Sequence, residues 1–172
     1  LIPLLTQGDV IIEGGNSHFK DTEKRAKQLS AAGIHFLGMG VSGGEEGALI
    51  GPALMIGGDK EAYMLVKNDL SAIAAKNSKE VPCCDFVGSG GAGHFVKIVH
   101  NGIEYAEMQL LAEVVSLALS DPSNSIKTIQ KMLQDWQKTK SESYLLDITA
   151  SLLGFYESGR PFIDLIKDEA SN

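Results

Sequence analysis

The sequence predicts two architectures in succession, an α/β region followed by an all-helical region. Strand-like and helix-like patterns alternate up to Gly88, which is typical of an open sheet covered by helices. From about Ala92 to Ser120 a helical pattern continues without a breaker, and no convincing strand follows. We therefore place a domain boundary near residue 90, between the regions 1–90 and 91–172.

In the α/β region, apolar runs predict four strands and two amphipathic segments predict helices. The first strand stops abruptly at Gly14-Gly15-Asn16-Ser17, and Gly33 closes the helix that follows. In chain order the predicted elements are a strand from Val10 to Ile12, a helix from Asp21 to Ala32, strands from Ile34 to Leu37 and from Ala53 to Ile56, a helix from Asp59 to about Ala75, and a strand from Cys83 to Val87.

In the helical region, the turn Asp121-Pro122-Ser123 separates the long first helix from three shorter ones. The shorter helices are predicted from about Ser125 to Lys138, from Ser143 to Phe155 and from Pro161 to Ala170. The residues interpreted as the core of this region are Trp136, Leu145, Ile148 and Leu152.

The composition of the chain limits the classes of molecule that it can bind. A hydrophobic content of 44% is ample for a core, and a net charge of -7 argues against nucleic acid or an anionic membrane surface as the main partner. A local basic pocket for a small anion remains compatible with that charge. No apolar run reaches the roughly 18 residues that a membrane span needs, and no signal-peptide pattern opens the chain. The adjacent Cys83 and Cys84 read as reduced core residues, so we expect a cytoplasmic protein.

The histidines do not predict a metal site, because none has a ligand-like partner at a useful spacing. His18, His35 and His94 are interpreted as ordinary surface or packing residues.

Five polar residues interrupt the apolar pattern of the long helix. At about 100° per residue they fall within an arc of about 140° on one face. They are Lys97, His100, Asn101, Glu104 and Tyr105. Because the other faces are apolar, we expect a buried helix whose polar stripe lines a cleft, as an active-site wall does.

Within this stripe, Lys97 and Glu104 lie two turns and about 10 Å of helix rise apart. Shielded from water, such a pair can supply a base and an acid near neutral pH. The alternative is a buried salt bridge along the helix, with His100 and Asn101 satisfied by backbone groups.

Three glycine-rich segments require interpretation. Gly88, Gly90 and Gly93 match a dinucleotide fingerprint, which we reject because the following helix runs on for nearly thirty residues instead of leading to a second parallel strand. A flexible crossing between domains and close helix packing explain these glycines better. The segment from Val41 to Gly47 offers a cradle for a carboxylate or hydroxyls, or else a tight connection that needs positive φ. Asn16, just past a strand, is either a ligand contact or part of a helix cap.

Four segments are distinctive in combination. They are Ile12-Glu13-Gly14-Gly15-Asn16-Ser17, Gly40-Val41-Ser42-Gly43-Gly44-Glu45-Glu46-Gly47-Ala48, Gly51-Pro52 and Gly91-Ala92-Gly93-His94-Phe95-Val96-Lys97-Ile98-Val99-His100-Asn101-Gly102-Ile103-Glu104-Tyr105. Together they closely resemble 6-phosphogluconate dehydrogenases. The resemblance implies the C-terminal part of a Rossmann-type sheet domain joined to the start of a helical domain, and it covers nearly all of this chain.

The resemblance also implies an activity: oxidative decarboxylation of 6-phosphogluconate to ribulose 5-phosphate with NADP, in the pentose phosphate pathway, by a homodimer that needs no metal. Lys97 then corresponds to the general base and Glu104 to the acid that protonates the enediol. The implied contacts to the sugar acid's carboxylate and hydroxyls are Ser42, Gly43, Gly44, His100 and Asn101. Tyr105 would reach the phosphate, and Asn16 would lie between substrate and cofactor.

By the same resemblance, the chain corresponds to a fragment without the N-terminal nucleotide-binding motif and the C-terminal part. We therefore expect the residues that select NADP over NAD to lie before Leu1. Two alternatives remain: another β-hydroxyacid dehydrogenase, or a non-catalytic fragment or pseudoenzyme. The combination of His100-Asn101 with Glu104-Tyr105 weighs against the first alternative, because simple hydroxyacid oxidation has no evident use for the extra acid and phosphate ligand.

Overall fold

A computed structural model describes residues 2–167 of the chain. These residues belong to two compact units, Leu1–Gly102 and Ile103–Asn172. The first unit contains a sheet and its helices, and the second is mostly helical. One long helix, α4 (Ala92–Leu119), contributes its first residues to the first unit and the rest to the second. We describe the two units separately.

The first unit is built on a four-stranded sheet in the order β1-β2-β3-β4. The strands are β1 (Val10–Glu13), β2 (His35–Ser42), β3 (Ala53–Gly58) and β4 (Cys84–Gly88). Two neighbouring pairs, β1 with β2 and β3 with β4, are parallel, and helices α1 (Phe19–Ser30) and α3 (Lys60–Ile73) connect them. The central pair, β2 with β3, is antiparallel, because a short helix, α2 (Gly44–Ile50), turns the chain straight back. The sheet is therefore mixed.

The two faces of the sheet carry separate apolar clusters. Leu37 of β2 packs with residues of β3 and α3, among them the fully buried Ile56 and Tyr63. The preceding residue, Phe36, packs with Leu29 of α1 on the other side. Successive side chains of a strand point to opposite faces, so α1 and α3 cover the two sides of the sheet. The predicted alternation of strands and helices is confirmed in this unit.

The N-terminal turns of α4 approach the sheet so closely that only glycine fits at the contact. A Cβ added at Gly93 would lie 2.2 Å from the Gly38 carbonyl oxygen and 2.5 Å from the Met55 carbonyl oxygen. On the sheet side, a Cβ at Gly57 would lie 2.2 Å from the Gly93 nitrogen, at the point where the β3–β4 register shifts. The helix backbone therefore rests directly on β2 and β3. This agrees with our interpretation of Gly93 as a helix-packing residue.

The adjacent cysteines are free thiols, and both are half-buried. Burial raises the pKa of the Cys84 thiol, opposed in part by a hydrogen bond with Ser71. Cys84 belongs to β4, where it packs at the margin of the cluster around Leu37. This supports the interpretation of Cys84 as an inert, reduced packing residue.

In the second unit, the later part of α4 packs with α5 (Ile126–Trp136) and α6 (Tyr144–Leu153). The buried residues at their centre are Val115, Ile129, Leu133, Leu146, Ala150 and Leu153. Helix α5 begins with a capping box, in which the Ser125 hydroxyl accepts from the Thr128 N–H and the Thr128 hydroxyl accepts from the Ser125 N–H. Two side chains thus cap the start of a strongly amphipathic helix.

The predicted core of this region is wrong. Trp136 and Leu152 are 38% and 41% exposed, and Leu145 and Ile148 are only half-buried. Instead, Leu145, Ile148 and Leu152 line an apolar groove of about 660 Å³ along α4 and α6. Both faces of α6 are apolar, so its sequence alone does not indicate which face meets α5.

The last predicted helix, Pro161 to Ala170, is also wrong over its described residues. Pro161 lies in a two-residue strand, β6 (Arg160–Pro161), which forms a hairpin with β5 (Tyr156–Glu157). The turn residues Ser158 and Gly159 have φ values of 51° and 80°, as a tight hairpin requires. A short 3-10 helix, Phe162–Leu165, follows, and 168–170 lie outside the described residues. Pro161 is a helix-start signal, but its fixed φ, here -56° with an extended ψ of 133°, suits the end of a strand equally well.

We predict that Gly93→Ala destabilises the chain by about 2 kcal/mol or more, because a methyl group has no space against the backbone of β2 and β3. The measurement is urea unfolding followed by circular dichroism. Gly102→Ala in the same helix is the matched control: apart from its own stretch of helix, no described residue has a heavy atom within 4 Å of its added Cβ. We therefore expect no loss and a gain of up to about 1 kcal/mol. Equal effects of the two substitutions would contradict the proposed contact.

We also predict that Ser125→Ala lowers the free energy of unfolding by about 1 kcal/mol, because the Thr128 N–H loses its capping acceptor. Ser141→Ala is the control, since Ser141 is exposed and lies outside the helices; it should change stability by less than about 0.5 kcal/mol. A Ser125 variant as stable as the control would show that the capping box contributes nothing.

Candidate functional site

The candidate site of the first unit lies at one edge of its sheet. Because β1 and β2 are parallel, their carboxyl ends meet at this edge. Asn16 follows the end of β1, and Ser42 is the last residue of β2, opposite Ala53 at the start of β3. In open α/β sheets, ligands bind at the carboxyl ends of the strands, so this edge is the expected place for one.

The loop that carries Asn16 is held by a polar network. The Arg25 guanidinium on α1 donates to both Glu13 carboxylate oxygens, at 3.0 and 3.1 Å, and to the Ser17 hydroxyl at 2.9 Å. Ser17 in turn donates to Glu13. Asn16 itself is exposed. The network fixes the residues on both sides of Asn16, and helix α1 is capped by His18 rather than by Asn16. An exposed carboxamide on a fixed loop is suited to contact a ligand.

The segment after β2 is partly helical. Gly43 is the N-cap of α2 with φ 138°, and Gly44 has φ 58°. A Cβ at Gly43 would lie 2.8 Å from the Gly47 Cα, so both its backbone angle and its surroundings require glycine. The tight connection considered from the sequence is therefore present. Ser42 is half-buried and the two glycines are exposed, which leaves this backbone open to a ligand.

Lys97 is brought to this edge by the close approach of α4 to the sheet. A Cβ added at Gly40 would lie 2.7 Å from the Lys97 Cβ and 2.7 Å from the Gly93 carbonyl oxygen. Lys97 is half-buried. Its side chain therefore begins directly above β2, two residues before Ser42, and alternate residues of a strand face the same side. The structure thus places the Lys97 Cβ over β2, two residues along the strand from Ser42.

The remaining stripe residues follow Lys97 along α4. His100 and Asn101 are half-buried, and the His100 Nδ1 lies 3.1 Å from the Asn101 Oδ1. Glu104 is half-buried, whereas Tyr105 is 64% exposed; both belong to the part of α4 assigned to the second unit. All five stripe residues are therefore helical, in the predicted register.

The expected burial of the apolar faces of α4 is not observed. Phe95, Ile98 and Val99 are 45–48% exposed, and Ile103 is 59% exposed, while most of the polar stripe is less exposed. The helical period separates a polar from an apolar face. It does not say which face the rest of the chain covers, and in this chain the covered face is the polar one.

His94 is the residue that sequence reasoning undervalued. It is 2% exposed, and its Nδ1 lies 2.7 Å from the hydroxyl of Thr22 on α1, which is fully buried. Its other ring nitrogen, Nε2, is buried without a hydrogen-bond partner among the described residues. The available signal was position: His94 precedes Lys97 by three residues and so continues the polar stripe.

Residues 2–167 offer neither a metal site nor a membrane-spanning helix. The described His, Cys, Asp and Glu side chains form no group of three that is suited to a metal ion. None of the described helices combines the length and the apolar character that crossing a membrane requires.

Comparisons with known proteins agree with this geometry. Residues 1–88 match the family described as the NAD binding domain of 6-phosphogluconate dehydrogenase, and residues 93–172 match the 6-phosphogluconate dehydrogenase C-terminal domain. Decarboxylating 6-phosphogluconate dehydrogenases of Haemophilus influenzae and Homo sapiens are each 49% identical over 171 residues, which is 99% of this chain. The chain spans 35% of the length of these curated relatives.

Solved structures give the same result. The 6-phosphogluconate dehydrogenase of Plasmodium falciparum, solved as apo enzyme and with NADP+ or 6-phosphogluconate, superposes with a TM-score of 0.91 at 35% identity. That match covers 99% of this chain and 37% of the Plasmodium chain. A 3-hydroxyisobutyrate dehydrogenase of Mycobacterium tuberculosis superposes at 0.73 with 18% identity, covering 97% of this chain and 54% of that one, which shows a shared fold only.

The predicted fold class, a Rossmann-type sheet domain followed by a helical domain, is confirmed by these matches. The recognition made from the sequence motifs is confirmed as well. With one family model matched over each of its two regions, the chain belongs to the 6-phosphogluconate dehydrogenase family.

Proposed function

We propose that this chain carries the catalytic residues of an NADP-dependent oxidative decarboxylation, in which 6-phosphogluconate becomes ribulose 5-phosphate and carbon dioxide. The observation that carries the proposal is the position of Lys97. Its Cβ is in contact range of the β2 backbone at Gly40, beside the open Ser42-Gly43-Gly44 segment. A lysine amine near an open, glycine-rich backbone segment is suited to a hydroxylated carboxylate.

In this proposal Lys97 is the general base. Its unprotonated amine accepts the proton of the substrate's C3 hydroxyl while the hydride leaves C3, and the ammonium group so formed then donates a hydrogen bond to the new ketone oxygen. That hydrogen bond stabilises the negative charge that develops when the carboxylate departs as carbon dioxide. A half-buried lysine on a rigid helix can serve both steps without moving its backbone.

Glu104 is the proposed acid. After carbon dioxide has left, the substrate is an enediol, and Glu104 donates the proton that completes C1. Glu104 and Lys97 lie on the same helix at a spacing of seven residues, which corresponds to two turns. This spacing lets one small sugar acid lie along the helix between base and acid.

The other proposed contacts hold the sugar acid in place. Ser42, Gly43 and Gly44 would bind the carboxylate, and His100 and Asn101 the hydroxyls. The 3.1 Å contact between His100 Nδ1 and Asn101 Oδ1 supports the binding of the hydroxyls, because it orients both side chains. Tyr105, whose side chain is mostly exposed, would reach the phosphate.

The proposed cofactor is NADP, which supplies the hydride acceptor when bound. Among the described residues, Asn16 is the candidate contact, and it would lie between cofactor and substrate. The site fits such a role, because the loop is fixed by Glu13, Ser17 and Arg25 and the Asn16 carboxamide is exposed. Apart from its chain neighbours, no described residue has a heavy atom within 4 Å of a Cβ at Gly15.

We further propose a cytoplasmic homodimer acting in the pentose phosphate pathway, with domains at 1–90 and 91–172. The free, half-buried cysteines suit a reducing compartment. The exposed apolar residues of α4 and of the groove in the second unit suit a chain that associates.

A second candidate is oxidation of a simpler β-hydroxyacid, for which the glycine-rich segment at Gly43 and Gly44 and the helix-borne Lys97 are also suited. The third is a non-catalytic sugar-phosphate binder. A panel of phosphorylated and unphosphorylated hydroxyacids separates them: equal turnover of both classes supports the second, and binding without turnover supports the third.

We predict that the purified chain of 172 residues binds 6-phosphogluconate, measured by calorimetry, with NADPH formation followed by absorbance in parallel. Gluconate without phosphate should bind more weakly by about tenfold or more, because a charge-assisted contact is lost. No heat of binding for 6-phosphogluconate would contradict the proposed substrate site.

Lys97→Met should remove the base and a charge-assisted contact. We expect NADPH formation to fall by about 100-fold or more and 6-phosphogluconate affinity by about tenfold or more. Lys27→Met is the control, because Lys27 is exposed in the last turn of α1, at the other end of that helix from the Asn16 loop. A loss no larger than that of the control would rule out Lys97 as the base.

Glu104→Gln should separate the two halves of the reaction. In a single turnover we expect NADPH to form at a rate within about threefold of wild type, while ribulose 5-phosphate appears about 100-fold more slowly, because only the proton donor is missing. Glu107→Gln, an exposed position on the same helix, is the control. Equal slowing of both products would assign Glu104 to hydride transfer instead.

A further inference from the structure

We propose that His94 is a positioning residue: its hydrogen bond to Thr22 holds the first turns of α4, and with them Lys97, in register on β2. This rests on the proposed role of Lys97. The contact joins α1 to α4, because Thr22 lies on α1 and His94 one turn before Lys97. At 2.7 Å between two almost fully buried side chains, it is a strong, desolvated hydrogen bond.

The backbone of β2 beside Thr22 and His94 leaves room for both side chains. Gly38 of β2 has no side chain, and a Cβ there would lie 2.5 Å from Thr22 Cγ2 and 3.1 Å from His94 Nδ1. The glycine therefore opens the space in which the two side chains meet. Gly40, two residues further along the same face of β2, opens the space for Lys97. His94 and Lys97 of α4 therefore pack over two neighbouring glycines on the same face of β2.

The chemistry indicates which atom donates. The Thr22 hydroxyl also lies 3.4 Å from the His18 carbonyl oxygen, to which it can donate its single proton. The hydroxyl then accepts from His94, whose proton is on Nδ1. The buried Nε2 is left as an unprotonated acceptor, which costs less than a buried N–H group without a partner. The pair thus fixes the tautomer and the ring orientation of His94.

The effect on Lys97 follows from helix geometry. The hydrogen bond restrains rotation of α4 about its axis, and a rotation of α4 would swing Lys97 sideways over β2. The glycine contacts at Gly93 set the height of the helix above the sheet, but a flat backbone contact does not fix rotation. The hydrogen bond between Thr22 and His94 supplies the restraint on rotation.

The test uses the whole chain and two pairs of variants. Thr22→Val removes the hydroxyl at constant shape, and Thr22→Ser keeps it. His94→Leu removes the donor, and His94→Asn places an amide nitrogen near the position of Nδ1. Thr6→Val is the control for loss of an exposed threonine hydrogen bond in the same unit.

The first readout is hydrogen exchange of the Lys97 amide, compared with the sheet amides of Leu37 and Leu54. Positioning predicts that Thr22→Val and His94→Leu speed exchange at Lys97 by about tenfold beyond any change at the sheet amides. In Thr22→Ser and His94→Asn, which keep a hydrogen-bonding group, the Lys97 amide should exchange at about the wild-type rate. Equal acceleration at all three amides would show a general loss of stability and overturn the proposal, as would no acceleration.

The second readout is the nitrogen NMR spectrum of His94. We expect a single tautomer protonated on Nδ1 in the wild type and a mixture of tautomers in Thr22→Val. An unchanged spectrum in the variant would overturn the proposal. Neither readout needs substrate, so a chain that fails to bind 6-phosphogluconate refutes the proposed function without deciding the role of His94. Where turnover is measurable, Thr22→Val should lower kcat with KM retained.

Discussion

The close contact between the first turns of α4 and the backbone of β2 and β3 is the constraint on which the candidate site depends. It requires glycine on both sides, at Gly93 on the helix and at Gly57 and Gly40 on the sheet. Backbone resting on backbone leaves little freedom in the height of the helix. The side chains that leave this helix toward the sheet therefore start from fixed positions, which is what a catalytic lysine needs.

A second constraint comes from the direction of the strands. The parallel pair β1 and β2 sends two chain segments to one edge of the sheet, and the antiparallel return through α2 keeps the next segment there. Asn16, the Ser42–Gly44 segment and Lys97 come from three separate parts of the chain. Their convergence is a property of the mixed sheet together with the helix seated on it, and it supports the proposed binding of a sugar acid.

The burial of α4 reverses the usual relation between polarity and exposure. Lys97, His100 and Asn101 are partly covered, whereas Phe95 and Ile98 are about half exposed. Covering polar groups has a cost unless they are paired or used. The described contacts, from Thr22–His94 to His100–Asn101, reduce that cost and keep the stripe ordered. The exposed apolar face and the groove of the second unit remain available for association.

The sequence by itself determined the order of the four sheet strands and of the five longer helices, the register of the polar stripe and the family. Local periodicity and turn chemistry depend only on neighbouring residues, and the motifs around Lys97 and Ser42 are distinctive. It failed where local signals were balanced: α6 is apolar on more than one face, so Leu146 rather than Leu145 reached the core, and Pro161, which can begin a helix, instead ends a short strand.

Only the tertiary structure decided the antiparallel pairing of β2 with β3, the face of α4 that is covered, and the partnership of His94 with Thr22 across 72 residues of sequence separation. These depend on which surfaces meet at a distance along the chain. No local pattern encodes that choice, because it is set by the space that glycines leave between packed backbones.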